Sequence, residues 1–290
     1  MTILNNVASW LLTNNGELRE EIKKFGDYFF CFCDEPDFDN IPEEVKGHKI
    51  IYVDSCEPDF MCSGSRSVIN NSQNYHLILT RRKEILNECT NSVFMPWGTT
   101  WIENWSGDIE DKSNSISFTT TAKQNPEADG YDLRFEVVNN LTRTIREASS
   151  IPFFYYNSSR SPLMPYLSDG EIREKKDPLF KHRYHLAMEN QRCDGYFSEK
   201  LIDCFQTKTV PVYFGCPNIH EFFDVRGMII VENYEGLLKV LKEMKDFSES
   251  SYEEMREHIE FNYEESKKYA KDFVVRMVDT IEKSESMFEN

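Results

Sequence analysis

The sequence predicts an α/β protein of two lobes, each built on a largely parallel sheet. Three observations carry that expectation. Short apolar runs of strand length alternate with stretches of helical period, the rhythm occurs twice along the chain, and a polar stretch separates the two series. At 290 residues, 40% of them hydrophobic with 21 Phe and 14 Tyr, the chain has enough apolar material for one large core or two ordinary ones.

In the first series DYFFCFC (27–33), KIIYVDS (49–55), YHLILT (75–80) and SVFMPWG (92–98) read as strands, with RRKEILNEC (81–89) as a helix. WIENWSGDIEDKSNS (101–115) is polar, carries a Gly and closes the series. The second series runs through SISFTTT, the helix-like DLRFEVVNNLTRTIREA, IPFFYY, RYHLAME, the helix SEKLIDCFQ, VPVYFG, MIIVEN and the helix GLLKVLKEM. A helical tail follows from about 251 to 288. The expected domains are residues 1–110 and 111–265, with a C-terminal helix over 266–290 and a cleft between the lobes.

The formal charge of -17, from 33 basic and 50 acidic residues, opposes non-specific binding to nucleic acid and to anionic membrane surfaces. A phosphate ligand would have to be held by a few placed cations and backbone N–H groups. MTILNNVASWLLTNNGELREE has no basic leader and only a broken apolar run, so the expectation is a soluble, cytoplasmic chain with no integral membrane segment. The eight cysteines lack CxxC spacing; reduced thiols are expected, and no zinc or other metal site.

Ser198 precedes a periodic stretch in which Leu201, Ile202 and Phe205 share a face, so Ser198 reads as an N-cap and Glu199 and Lys200 as the first turn. That turn has unpaired N–H groups and partial positive charge, a natural phosphate seat to which Lys200 adds a full charge. The plain alternative is a Glu complementing the dipole beside a solvated Lys. Asp37-Phe38-Asp39 matches a metal-binding DxD pattern, yet such triplets arise freely among 50 acids and it is given no metal role. Trp97, Trp101 and Trp105 recur every four residues; Trp97 is expected in the core, and the other two are open between core and a sugar-stacking surface. His182, His185 and His220 receive no role.

Tyr184 to Gly215, YHLAMENQRCDGYFSEKLIDCFQTKTVPVYFG, resembles the nucleotide-sugar-binding core of the α1,3-fucosyltransferase family. The pieces that carry the resemblance are AMEN (187–190), YFSEK (196–200) and VPVYFG (210–215), with Met188, Phe197 and Ser198 where the family has Phe, Val and Thr. The resemblance implies a GT-B fold, two Rossmann-like domains facing a cleft. It also implies inverting transfer of L-fucose from GDP-fucose to a glycan acceptor, with no cofactor or metal required. By the same resemblance Glu199 contacts the fucose hydroxyls, Lys200 the diphosphate, and Tyr196 and Asn190 the nucleotide-sugar, while Glu189 is structural. Arg134 is the implied second phosphate cation, with Lys123 as its rival.

Inverting transfer needs a general base, usually a carboxylate. KIIYVDSCEPDF delivers Asp54, Glu57 and Asp59 to a strand end, where ligands gather in open α/β sheets. The segment also resembles the family's strand that runs into an acid before a proline, so Glu57, next to Pro58, is the expected base and Asp54 the second choice. Two other readings stand beside this one. One keeps the fold with a different donor, another GDP-sugar or a UDP-pentose such as UDP-xylose; the other is a catalytically inactive nucleotide-sugar- or glycan-binding protein.

Overall fold

The computed structural model describes residues 12–14, 17–41, 43, 45–54, 59–107, 109–125, 127–173, 175–244 and 249–288. The chain forms two compact units. The first comprises Met1–Trp97, Cys193–Tyr196 and Lys271–Asn290, the second Gly98–Arg192 and Phe197–Ala270. The division falls at Trp97/Gly98 where the sequence suggested 110/111. The last helix groups with the first unit because its apolar face completes that unit's core.

In the first unit, β1 (Tyr28–Phe32), β2 (Lys49–Val53), β3 (Leu77–Thr80) and β4 (Ser92–Phe94) form one sheet in sequential order, every pair parallel. Both faces are covered, which is why these strands read as unbroken apolar runs. Phe29, Cys31, Ile50, Tyr52 and Ile78 pack with Val68 of α1 (Ser65–Asn70) and Ile85 of α2 (Lys83–Glu88). On the other side Phe30, Phe32, Ile51, Val53, Leu77 and Leu79 pack against Phe273, Val274, Met277, Val278 and Ile281 of α7 (Phe273–Phe288). Trp97 joins this core with its ring 4.4 Å from that of Phe273, as expected.

The second unit holds six parallel strands: β5 (Ser113–Thr120), β6 (Phe153–Ser158), β7 (Gly170–Ile172), β8 (His182–Met188), β9 (Val210–Phe214) and β10 (Ile229–Ile230). Their order is β10-β9-β8-β5-β6-β7, so the chain builds outward from β5 in one direction and then, from β8, in the other. This is the doubly wound Rossmann arrangement, with its switch point between β5 and β8. Helices α3 (Asp129–Asn139) and α5 (Tyr234–Glu243) cover one face through Leu133, Val137, Val138, Leu237 and Leu241. Leu201, Ile202 and Phe205 of α4 (Glu199–Gln206) cover the other, and α6 (Arg256–Ala270) packs beside α4.

Several elements depart from the sequence reading: α1 was not foreseen, and the single C-terminal helix expected over 266–290 is instead the end of α6 and then α7, with a break between Ala270 and Phe273. DLRFEVVNNLTRTIREA is one helix only to Asn139; Leu141–Ile145 forms a wider π-type turn before Arg146–Ala148. Strand β7 was not anticipated, because GEI sits in a charged stretch and needs only one buried residue at the sheet's edge. Among the described residues, no helix is long and apolar enough to cross a membrane.

Candidate active site

The switch point of the second unit carries a cavity of about 500 Å³ at the carboxyl ends of β5 to β8, within the range of small-molecule sites. Six cations line it: Lys123, Arg134, Arg160, Arg173, Lys176 and Lys200. Only two acids do, Glu199 and Asp203. In a chain with 50 acidic and 33 basic residues that inversion makes the cavity locally positive, the charge balance that favours an anion.

Glu189 organises one wall. Its fully buried carboxylate accepts from the Ser198 backbone N–H at 2.8 Å and from the Ser198 hydroxyl at 2.6 Å, and lies 3.7 Å from Lys200 Nζ. Burial pushes its pKa up, and the Lys200 charge works against that. Ser198 in turn caps α4 by accepting from the Lys200 N–H at 3.3 Å. Lys200 Nζ then lies 3.2 Å from Glu199 Oε1. Burial opposes ionisation of Glu199, but the ammoniums of Lys200 and Lys176 outweigh it and hold the carboxyl at about 2. Glu199 is therefore an ionised acceptor, and Lys200, with its pKa raised by Glu199 and Glu189 against burial and Arg134, remains a full cation.

Two glycines let the backbone close around Glu189. A Cβ on Gly130 would lie 2.0 Å from the Glu189 carbonyl oxygen, so only glycine lets the start of α3 abut the end of β8. The Gly130 N–H donates to the Asn190 carbonyl at 3.2 Å. A Cβ on Gly215, the last residue of VPVYFG, would meet the Tyr213 hydroxyl and the Glu189 side chain.

Glu199, Lys200, Asn190, Arg134 and Lys123 thus share the cavity. Arg134 is 7% exposed, donates to the Met188 carbonyl and sits 5.2 Å from the Tyr131 ring centre; Lys123 is on the exposed rim. Tyr196 requires a correction. Rather than touching the cavity, it is fully buried in the first unit, its ring 5.0 Å from the Arg81 guanidinium. Gly195, at φ +69°, makes the turn that delivers it there.

Asp54 also departs from its expected availability. Its carboxylate accepts from Arg82 Nη2 at 2.7 Å and Nε at 3.2 Å, and from the Thr80 hydroxyl, all in the buried interior of the first unit. Glu57 lies outside the described residues. Asp59 accepts from Arg81 Nη2 at 2.5 Å. Asp37 serves as a turn cap, accepting from the N–H groups of Asp39 at 3.0 Å and Asn40 at 3.2 Å.

Sequence reasoning missed a second group on the cavity wall. Asp203, one helical turn after Glu199, accepts from Thr100 Oγ1 at 2.7 Å, the Trp101 N–H at 2.8 Å and Lys176 Nζ at 2.9 Å. Lys176 also lies 4.2 Å from the ring centre of Trp101, which is 56% exposed. The legible signals were the basic run Arg173-Glu174-Lys175-Lys176 in an acidic chain and the i, i+4 spacing of Glu199 and Asp203.

Two parallel sheets, each clad on both faces, and a cation-lined cavity at the switch point of the second define the class: the GT-B fold of glycosyltransferases. The solved structures agree, among them alpha1,3-fucosyltransferase with GDP (TM-score 0.51, 14% identity, 87% of this chain and 78% of that one). The same enzyme with GDP-fucose gives a TM-score of 0.50 at 15% identity, covering 87% of this chain and 79% of the other. Residues 139–286 match the model of glycosyltransferase family 10 (fucosyltransferase), C-terminal part. The chain belongs to that family. Over 98 residues, 32% of this chain and 21% of the relative, it is 33% identical to the GDP-fucose protein O-fucosyltransferase 3 of Danio rerio. Over 117 residues, 38% of this chain and 23% of the relative, it is 25% identical to the alpha-(1,3)-fucosyltransferase FucT of Helicobacter pylori. These matches span less than a quarter of either curated relative's length.

Proposed function

We propose that the protein transfers L-fucose from GDP-fucose to a hydroxyl of a glycan acceptor with inversion and without a required metal. The observation that carries the reading is the cavity: Glu199 and Lys200, fixed by the Glu189–Ser198 cap, share with Arg134 a site where cations outnumber acids six to two. Membership of family 10 and the GDP-fucose named for the structural relative support the donor.

In this reading the acceptor oxygen attacks the anomeric carbon from the face opposite the diphosphate. The C–O bond to the β-phosphate breaks, and GDP leaves with the bonding pair. Lys200, Arg134 and the N-terminal N–H groups of α4 compensate the charge that builds on the phosphate oxygens, each contact contributing on the order of 2–4 kcal/mol at the transition state. Glu199, ionised, accepts from fucose hydroxyls. Glu57 takes the acceptor's proton; Asp54 is already occupied by Arg82 and Thr80.

Isothermal titration with GDP and UDP, followed by product analysis with GDP-fucose, tests the proposal. Binding of GDP in preference to UDP, β-GDP-fucose giving an α-linked product, and activity retained in EDTA are expected. Selective binding of UDP would overturn the donor, and activity lost to EDTA would overturn the metal-free mechanism. Glu57→Gln should abolish transfer and leave GDP affinity unchanged; an active variant would remove Glu57 from the mechanism.

A further inference from the structure

Beyond the Glu199–Lys200 clamp, the cavity is walled by Trp101, Ile172, Leu179 and Phe180, and His185 and Lys176 are among the polar side chains facing it that the transfer step does not use. His185 lies on β8, three residues before its end, and is 5% exposed. Ser117 on the neighbouring β5 has one hydroxyl proton and donates it to the Leu179 carbonyl at 2.6 Å. The 2.8 Å contact between Ser117 Oγ and His185 Nδ1 therefore has the histidine as donor. That fixes the tautomer and leaves Nε2 a bare acceptor, with no hydrogen bond to any described residue. Burial, then the charge of Lys176 and the neighbouring His182, drive the pKa down to about 3, so the ring stays neutral.

Lys176 is the complementary group. Asp203 takes one of its three N–H bonds at 2.9 Å, and the Trp101 ring 4.2 Å away restricts the ammonium further. The remaining N–H bonds are available to a ligand, close enough to His185 to act on it electrostatically. A donor beside an acceptor in an apolar slot matches the edge of a keto base, where a carbonyl oxygen adjoins a ring N–H. An amino base presents the reverse pattern.

We propose that this end of the cavity reads the keto edge of the donor's nucleobase, Lys176 Nζ donating to the carbonyl oxygen and His185 Nε2 accepting from the adjacent ring N–H. The assignment rests on the nucleotide-sugar reading above. With guanine the atoms are O6 and N1–H, and the 2-amino group takes no part. Adenine would turn an amino N–H toward the ammonium and a ring lone pair toward the imidazole lone pair. Both buried protein groups would then lack partners, a mismatch that costs about tenfold to a hundredfold in affinity.

The test is calorimetric titration of the unmodified chain with GDP, IDP, ADP, UDP and inorganic pyrophosphate. GDP and IDP should bind equally and ADP at least about tenfold more weakly. His185→Phe, which keeps an aromatic ring and removes the acceptor, should bring GDP down to the ADP level and leave pyrophosphate affinity unchanged. Equal binding of GDP and ADP by the unmodified chain, or IDP much weaker than GDP, overturns the base assignment while pyrophosphate binding keeps the diphosphate seat. UDP bound as tightly as GDP preserves the keto-edge assignment and overturns guanine as the base. If neither nucleotides nor pyrophosphate bind, the nucleotide-sugar reading itself fails.

Discussion

At the residue scale, Glu189 holds more of the site together than either residue of the clamp. It touches the cap of α4 twice and Lys200 once, and it has no exposure of its own. Glu189→Leu would strand the Ser198 N–H and hydroxyl and expose Lys200 to its neighbouring cation; a loss of about 2–4 kcal/mol in denaturant unfolding is expected. Glu189→Gln keeps an acceptor for the Ser198 N–H and should cost about 1 kcal/mol or less. Equal losses in the two variants would show that the hydrogen bonds are not what matters there. The clamp residues Glu199 and Lys200 were legible because they sit in consecutive sequence behind a cap. Lys176 and Asp203 left only partial marks, a basic run and an i, i+4 spacing, and His185 none, because their partnership joins residues up to 27 positions apart and depends on how β8, α4 and the stretch before β8 stack.

At the scale of elements, strands with both faces covered were readable from their apolar runs, and α4 from its cap and apolar face. The edge strand β7 and the π-type turn after α3 were not, since one buried residue or one irregular turn leaves no periodic mark. The contact between α3 and the end of β8 makes a sharp prediction. Gly130→Ala places a methyl 2.0 Å from a backbone oxygen that cannot rotate away. A cost of about 1–3 kcal/mol is expected, with GDP binding weakened because Arg134 rides on the same helix. Gly26→Ala, where nothing lies within 4 Å, should leave both unchanged. Unfolding curves and calorimetry of the two variants, compared side by side, decide the matter; normal GDP affinity in Gly130→Ala would mean the helix start is not part of the seat.

At the scale of the whole molecule, two buried histidines set an acid limit. Burial and Lys112 lower the pKa of His182 to about 4, and burial with Lys176 lowers that of His185 to about 3. Both folded values lie below the unfolded value of about 6.5, so below that pH the unfolded chain binds protons first. Their contribution is complete above about pH 6.5 and is lost as pH falls toward 4 and then 3. The melting temperature should fall steeply between about pH 6 and 4.5 and be flat above about 7; a flat profile across the acid range would show that these rings titrate normally. The division of the chain carries a different consequence, one of timing. The residues that cover one face of the first sheet, Phe273 to Ile281, are made only after the 173 positions from Gly98 to Ala270. At ~5–20 residues per second a ribosome needs roughly 9–35 s for that stretch. Throughout the interval Phe30, Phe32, Ile51 and Val53 have no native cover from α7. The second unit's sheet can close during synthesis, whereas the first must wait for its last helix, so a nascent chain stalled before residue 273 should recruit chaperones through its N-terminal third.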